Sequence, residues 1–508
     1  MKEKQITVIL NGVAVPCQSG ASLGDLLPAV GVGHMPCGGH GKCGKCRVTV
    51  QGKVSEPTDD ERRALTPDEL SRGIRLACRT TVWGDCTVVT DNEHRGGQIV
   101  TDGSFPASVG KRQVSPAFAG YGVAVDIGTT TLAARLYGVD GTLLAEVSRL
   151  NPQSAWGADV ISRMEAALAG NAGRIAKMTR RTLNEMMVEL AAAAHIEASA
   201  IDGVVITGNT VMLHLLTETD VEPLTHAPFA ASRLFGETLA ARELELTSIA
   251  ADAAVYLPSC IAAFVGADTV TATLASDLRE SSATSLLCDI GTNGEMVLWH
   301  DQTLYACSTA AGPAFEGAGI SMGMGGRTGA IDRVWVDHGE LRVHVIGEGS
   351  PIGLCGSGLV DAVACLLDTE LLDETGYLED DPAVIAEPVT VTGEDIRAVQ
   401  LAKSAIHAGM RTLVRTAELT CHEVDTLYIA GGFGSYLDVP NAGKIGLLPE
   451  EMTSRVTVLG NAALTGAAML LLYDDLRISC EEMAQATRIV ELASNPVFVS
   501  EYMERMMF

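Results

Sequence analysis

Residues 123–131 read VAVDIGTTT, and residues 286–295 read LLCDIGTNGE. Each stretch is an apolar run that predicts a buried strand, followed by an aspartate, a Gly-Thr turn and the start of a second strand. A glycine turn lets backbone N–H groups close on phosphate oxygens, and threonine hydroxyls add donors. An aspartate at a strand end suits a magnesium ion held through water. One such motif is weak, because D-x-G-T arises by chance. Two on similar strands form an internal repeat and predict one per lobe of a two-lobed molecule. A third element, DTLYIAGGFGSYLD at 425–438, predicts a strand over Leu427 to Ala430. It ends in Gly431, Gly432 and Gly434, which allow close approach to a flat nucleoside. Two further stretches, VVITGNTVMLHLL near Gly208 and GLCGSGLVDAVACLL near Gly356, read as small-residue turns entering helices. Helices of that kind are expected to cross between the lobes and hinge them. No G-x-x-x-x-G-K-[ST] occurs, so the phosphate site is not a P-loop.

These five elements follow in the order phosphate, connection, phosphate, connection, adenosine. That order resembles the superfamily of acetate and sugar kinases, chaperones and actin. The resemblance implies a bound ATP and a magnesium ion. It places Asp126, Gly128, Thr129, Thr130, Asp289, Gly291, Thr292, Asn293, Gly431, Gly432 and Gly434 around the nucleotide.

Working outward, the chain has 508 residues, 47% hydrophobic and 19% charged, a globular composition sized for roughly three domains. The net charge of −27 repels phosphate backbones and anionic lipid, and aromatics at 4% are too few for a base-stacking surface. Nucleic acid and membrane are therefore excluded as partners. No run of about 18 apolar residues is present. The opening MKEKQITVIL lacks a signal-peptide core, so a cytoplasmic location is expected. Thirteen cysteines in a reducing compartment ask for a metal or cluster where they bunch.

They bunch near the N-terminus. The run CGGHGKCGKC gives Cys37, Cys43 and Cys46 the spacing C-x5-C-x2-C, and Cys78 follows in RLACRT. A [2Fe–2S] cluster needs four converging thiolates. A glycine-rich loop can supply three, and a remote segment the fourth. A zinc ribbon is the alternative, but it wants a second C-x2-C or a matched histidine pair, and His34 and His40 sit in the same loop. Cys17 and Cys86 fall outside the spacing and read as buried thiols. ITVILNGVAVPC reads as a hairpin turned at Asn11-Gly12, SLGDLLPAV as a short helix capped at Ser22, and CRVTVQGKVS and DCTVVT as strands. A small sheet with one helix and a cysteine loop resembles the β-grasp fold of plant-type ferredoxins. Plant ferredoxins have four residues between the first two cysteines; the five here are shared with the adrenodoxin-like branch.

The resulting fold class is multidomain α/β. A β-grasp [2Fe–2S] ferredoxin domain at 1–90 is joined by a polar linker at 91–120 to two ribonuclease-H-like lobes of actin or sugar-kinase type, 121–284 and 285–508. As a whole the chain resembles the ATP-dependent reductive activators of corrinoid proteins. The stretches that carry this are CGGHGKCGKC, GIRLACRT, VDIGTTT, CDIGTNGE, STAAGPAFEGAGISMGM, GGRTGAIDRV, GLCGSGLVDAV and IAGGFGSYLD. The resemblance implies that Cys37, Cys43, Cys46 and Cys78 hold the cluster. It implies one-electron reduction of a cobalamin-binding protein from Co(II) to Co(I), in support of O- or N-demethylating methyl transfer. The partners implied are that corrinoid protein and a low-potential electron donor; a homodimer is compatible with the same reading. Glu295 is the candidate to orient the attacking water or magnesium, beside the catalytic aspartates Asp126 and Asp289, though a strand-end carboxylate reads the same way. Glu316, in GPAFEGAG, is expected to face the corrinoid partner. The competing readings are a metabolite kinase, or an actin- or chaperone-like ATP-binding module, carrying a redox-sensing cluster. An activator of a radical dehydratase is a third, but those hold a [4Fe–4S] cluster between subunits.

Overall fold

The computed structural model describes residues 5–27, 35, 39, 41, 44–90, 103–110, 112–279 and 282–508. Its N-terminal unit is a six-stranded sheet. Strands β1 (Gln5–Leu10) and β2 (Val13–Gln18) form the expected hairpin. Asn11 and Gly12 turn it with φ of 48° and 84°, the left-handed pair that a two-residue turn requires. Then follow β3 (Ala21–Ser22), α1 (Leu23–Leu26), β4 (Arg47–Val54), α2 (Asp59–Ala64), α3 (Pro67–Ser71), β5 (Ile74–Leu76) and β6 (Thr81–Thr90). The order is β2-β1-β6-β4-β5, with β3 also pairing β6. Alternate residues Ile6, Val8 and Leu10 point into a core shared with Val82, Cys86 and Val88. This is the β-grasp arrangement. Of the helix expected from SLGDLLPAV, Leu23–Leu26 is helical and residues 28–30 lie outside the described residues; Ser22 stands at its N-cap without a capping hydrogen bond.

The first lobe has β7 (Tyr121–Ile127), β8 (Thr131–Gly138), β9 (Leu143–Leu150), α4 (Val160–Ala166), α5 (Ala172–Ala193), β10 (Ile201–Gly208), α6 (Thr210–Thr217), β11 (Glu237–Ala240), β12 (Ala254–Leu257) and α7 (Ala267–Ala275). Its strands are ordered β11-β12-β10-β7-β8-β9. The second lobe opens with β13 (Ser285–Ile290), β14 (Gly294–His300) and β15 (Thr303–Thr309). A side sheet of β16 (Ala330–Asp337), β17 (Glu340–Val345) and β18 (Gly353–Leu354) leads into α8 (Gly356–Asp368). A ribbon of β19 (Ala383–Ala386) and β20 (Val389–Val391) precedes α9 (Gly393–Thr416), β21 (Thr426–Ala430), α10 (Val439–Lys444), β22 (Val456–Gly460) and α11 (Ala462–Leu472). The order of its main sheet is β22-β21-β13-β14-β15, closed by Arg488–Ile489.

The two lobes repeat one plan. Each has an antiparallel three-strand meander, β7-β8-β9 or β13-β14-β15, and two further strands parallel to the first of them. This is the ribonuclease-H-like topology. Each lobe has its own apolar core, and a third core lies between them.

That third core corrects one expectation. The helices that meet between the lobes are α7 and α11, not the helices entered at Gly208 and Gly356. Helix α11 packs on α7 and also on β7 and β10 of the first lobe. By contrast α6 lies against α5, and α8 against β16 and α10, each inside its own lobe. The physical reason lies in composition: ADTVTATLA and AALTGAAMLLL are small-residue helices buried almost all round. Such helices approach closely without any glycine turn to announce them.

The second half of the segment read as a linker is packed, not loose. Ser115 pairs with Tyr473, Ser108 bonds Asp277, and Arg112 meets Asp475 at 2.6 Å. Phe118 lies against β7 and β10 where Gly122 and Gly203 leave it room.

Candidate functional site

Cys46 stands immediately before β4, and Cys78 lies in a single 3-10 turn, Ala77–Arg79, after β5. Pairing of Arg47 with Leu76 sets their register, and the Ala77 N–H donates to the Cys46 carbonyl at 2.9 Å. The two Sγ atoms consequently lie 3.3 Å apart. Two thiolate corners of a tetrahedral site with metal–sulfur bonds of about 2.3 Å would be separated by about 3.7 Å. The pair therefore fits one iron of a cluster. Gly41 lies so near Arg79 that a β-carbon on it would stand 2.2 Å from Nε, and Arg79 is paired with Asp60 at 2.7 Å. Cys37 and Cys43 lie outside the described residues. Cys86 is buried as expected, whereas Cys17 is half-buried; burial raises both thiol pKa values, with Asp85 adding to each.

A buried ion pair supports the Cys78 turn. Glu61 accepts from Arg75 Nε at 2.8 Å, Arg75 Nη2 at 2.9 Å and the Leu76 N–H at 3.1 Å. Burial opposes its charge, but the bonds from Arg75, Thr58 and Leu76 outweigh that and hold its pKa below the usual glutamate value.

In the two C-terminal lobes, each Gly-Thr turn is closed by the N–H of its glycine. The Gly128 N–H donates to the Thr131 carbonyl at 2.9 Å, and the Gly291 N–H to the Asn293 carbonyl at 3.1 Å. Carbonyls of the first turn are drawn inward. Asn151 Nδ2 donates to the Gly128 carbonyl at 2.7 Å, and the fully buried Arg163 to the Thr129 carbonyl at 2.6 Å. Across the cleft, the Glu316 carboxylate accepts from Thr130 Oγ1 at 2.5 Å, Thr292 Oγ1 at 2.8 Å and the Thr292 N–H at 3.1 Å. Glu316 therefore ties the two turns together inside the cleft. That corrects the expectation that it faces a partner protein: its loop folds back, with N–H groups of Glu316 and Ala318 both donating to the Pro313 carbonyl.

Behind the turns stand four carboxylates, of which Asp126 and Glu295 are buried and Asp268 and Asp289 half-buried. Burial raises Asp126 to about 7, with Asp268 adding and a 3.0 Å bond from Asn461 opposing. Burial raises Asp289 to about 7, reinforced by Asp268, Asp126 and Glu316. Burial also raises Asp268 to about 6 and Glu295 well above the ordinary value, the latter reinforced by Asp268 and Asp289. Asn209, the N-cap of α6, reaches Glu295 at 3.4 Å. Like charges crowded in a dry site favour a cation, which would relieve their mutual repulsion. Among the described residues no three Asp, Glu, His or Cys side chains converge enough to hold a metal unaided.

The three glycines after β21 differ. Gly431 has φ of 93° and lies against Asp289, where a β-carbon would stand 2.6 Å from Oδ1. Gly432 borders open space, with nothing within 4 Å of a β-carbon. Gly434 folds back onto Ile429, 2.6 Å from its Cγ2, so it is a packing residue. The residues that sequence reasoning missed are Asp268, Asn151, Arg163, Asn209 and Asn461. A signal existed for Asp268 alone, as the one charge in the apolar α7; the others are ordinary polar residues until the fold gathers them.

The two sites are in contact. Lys45 Nζ donates to the carbonyls of Gly317 and Ile320 at 3.0 and 2.9 Å, and the Met35 N–H to the Ser154 carbonyl at 3.4 Å. A cavity of about 390 Å³ lies between the units, lined by Ser22 and Cys78 on one side and Trp156, Ser162 and Glu165 on the other.

Comparison with known proteins accounts for this pairing. Residues 6–82 match a 2Fe-2S iron-sulfur cluster binding domain, 121–281 the RACo middle region, and 283–508 the C-terminal ASKHA domain of RACo. The chain is 36% identical to the corrinoid activation enzyme RamQ of Eubacterium limosum, over 76% of this chain and 70% of that protein. It is 24% identical to a Co(II) methylated-amine-specific corrinoid protein reductase of Methanosarcina barkeri, over 72% and 74% of the two chains. A solved structure titled as a reductive activator for a corrinoid, iron-sulfur protein superposes with a TM-score of 0.72 at 27% identity, covering 99% of this chain and 98% of that one. The chain belongs to the family of corrinoid-protein reductive activators, which join a 2Fe-2S domain to a two-lobed ASKHA ATPase.

Proposed function

We propose that this protein uses ATP to drive single electrons into a corrinoid protein, returning its cobalt from Co(II) to Co(I) for methyl transfer. The observation that carries the reading is a cluster-type cysteine pair whose neighbour Lys45 bonds the loop that carries Glu316 of an ATP-type cleft in the same chain. When bound, a [2Fe–2S] cluster supplies a one-electron carrier. Cys46 and Cys78 would hold one iron, with Cys37 and Cys43 as the remaining ligands. In the cleft, the turns at Gly128–Thr130 and Gly291–Asn293 would take the phosphates, and Gly432 would leave room for the nucleoside. Asp126 and Asp289 would hold a magnesium ion, which would supply positive charge beside the phosphates. Glu295 and Asp268 would orient the attacking water.

The need for ATP is energetic. Plant-type clusters sit near about −400 mV, and Co(I) corrinoids need a lower potential still. Moving one electron uphill by 100 mV costs about 2.3 kcal/mol. A lobe movement that binds two states of the complex unequally can supply a few kcal/mol. ATP then acts through conformation, without phosphorylating the partner. A low-potential donor would refill the cluster, in a reducing cytoplasm where thiolates stay available to hold it.

The test is an anaerobic optical assay of a Co(II) corrinoid protein mixed with this protein, a strong reductant, and ATP or none. Co(II) absorption should give way to Co(I), faster with ATP. Equal rates with and without nucleotide, or a phosphorylated small-molecule product matching the ATP consumed, would sink the reading.

A further inference from the structure

The phosphate turns and the cluster cysteines are joined by one short path. Glu316 accepts from Thr130 and Thr292, the residues that close the cleft on phosphate. Gly317 is the next residue, and its carbonyl accepts from Lys45 at 3.0 Å; the carbonyl of Ile320 does the same at 2.9 Å. Lys45 is in turn the residue before Cys46. From the threonines to the cysteine the path therefore runs through one loop and one lysine side chain.

That loop is stiff. Ala318 and Glu316 both bond back to the Pro313 carbonyl, and Ile320 is buried. Gly317 has no room for a side chain: a β-carbon would stand 2.6 Å from the Met324 nitrogen. Ser321 is clamped to Asp395 at the start of α9, its N–H at 2.6 Å and its hydroxyl at 2.5 Å. A displacement at Glu316 is thus passed to the adjoining carbonyl of Gly317, while the Ser321–Asp395 clamp holds the Ile320 end of the loop fixed.

We infer that Lys45 is a positioning residue that couples nucleotide in the cleft to the cluster. This rests on the proposed ATP-driven function and deepens it. Phosphate entering between the turns competes with the Glu316 carboxylate for the hydroxyls of Thr130 and Thr292 and repels it by like charge. The Gly317 carbonyl shifts while the Ile320 carbonyl stays clamped, and the lysine ammonium, held by both, changes its place relative to Cys46. A cation beside a cluster thiolate favours the reduced, more negative state, so moving it changes how readily the cluster gives up its electron.

The experiment uses the full-length protein with its cluster and needs no corrinoid. A non-hydrolysable ATP analogue is added during a redox titration followed by electron paramagnetic resonance. In wild type the analogue should change both the midpoint potential and the resonance of the reduced cluster. Lys45→Met should keep its cluster and its basal ATP hydrolysis but lose that response, and Lys45→Arg should regain it. Glu316→Gln, which leaves the cluster domain untouched, should weaken the response from the other end. In the corrinoid assay, the acceleration by ATP should fall roughly ten-fold in Lys45→Met, a normal size for a coupling energy. A full analogue response in Lys45→Met, or none in wild type, overturns the coupling. If wild type reduces Co(II) with ATP and Lys45→Met does so equally well, the coupling fails while the function stands. If the analogue acts through Lys45 but no Co(I) forms, the coupling stands and the function fails.

Discussion

Gly466 of α11 lies so close to Thr271 of α7 that a β-carbon placed on it would stand 1.9 Å from the Thr271 carbonyl oxygen. The lobes are in contact here through backbone. Thr271 also bonds the Thr207 hydroxyl of β10 at 3.0 Å, which holds α7 to its own sheet. Gly466→Val must push the helices apart, at more than the about 1–3 kcal/mol of ordinary overpacking. Calorimetry should show the ATPase part melting earlier, while the visible circular dichroism of the cluster is unchanged at room temperature. An unaltered melting profile would mean that the lobes are not held at this contact.

Cluster ligation separates the cysteines. Cys37→Ser, Cys43→Ser, Cys46→Ser and Cys78→Ser should each lower iron content and bleach the broad visible absorption, whereas Cys17→Ser and Cys86→Ser should keep about two irons per chain. One zinc per colourless chain would end the electron-transfer reading.

Acid should release the Cys78 turn. The folded pKa of Glu61 is lowered, so its contribution is fully present above the ordinary glutamate value of about 4.3 and is lost as pH falls through the folded value. Glu61→Gln leaves Arg75 unpaired in the core and should cost about 3–5 kcal/mol at neutral pH. Denaturation of the cluster domain, followed by circular dichroism between pH 3 and 7, checks both statements; a variant as stable as wild type at pH 7 contradicts them.

Magnesium should matter through the crowded aspartates. ATP at 100 times its dissociation constant should add about 2.7 kcal/mol of stability to the lobes, by binding the folded state alone. With EDTA in place of magnesium that gain should shrink. Asp289→Asn should melt no earlier than wild type without nucleotide, because it removes repulsion from Asp126 and Asp268. It should nevertheless lose the magnesium-dependent increment. An undiminished increment would place the ion elsewhere.

Two neighbouring glycines give opposite outcomes. Gly432→Trp fills open space, so it should fold normally and weaken ATP binding by about 100-fold, near 2.8 kcal/mol. Gly434→Ala meets Ile429 and should cost about 1–3 kcal/mol of stability with ATP affinity kept. Titration calorimetry and thermal melts distinguish the two.

Both strand-Asp-Gly-Thr units and the Asn11-Gly12 hairpin were legible because each is local: a few adjacent residues carry the whole constraint. Glu316 was legible as unusual but not in its place, because the bonds to Thr130 and Thr292 come from segments 186 and 24 residues away. The crossing helices were misplaced because α11 is buried on every side and has no periodic polar face to read. Gly431, Gly432 and Gly434 looked alike in sequence, and only their neighbours, Asp289, open space and Ile429, give them three roles.

The apolar layer shared by β7, β10, α7 and α11 has a consequence for heredity. A lobe cut from its twin would present that layer to water, so neither half can be traded, lost or borrowed by itself. The cluster domain, whose contacts with the lobes among the described residues are a lysine and backbone bonds, shares no such layer. Lineages in this family should therefore swap electron-carrying modules freely while passing down the ATP engine as one indivisible piece.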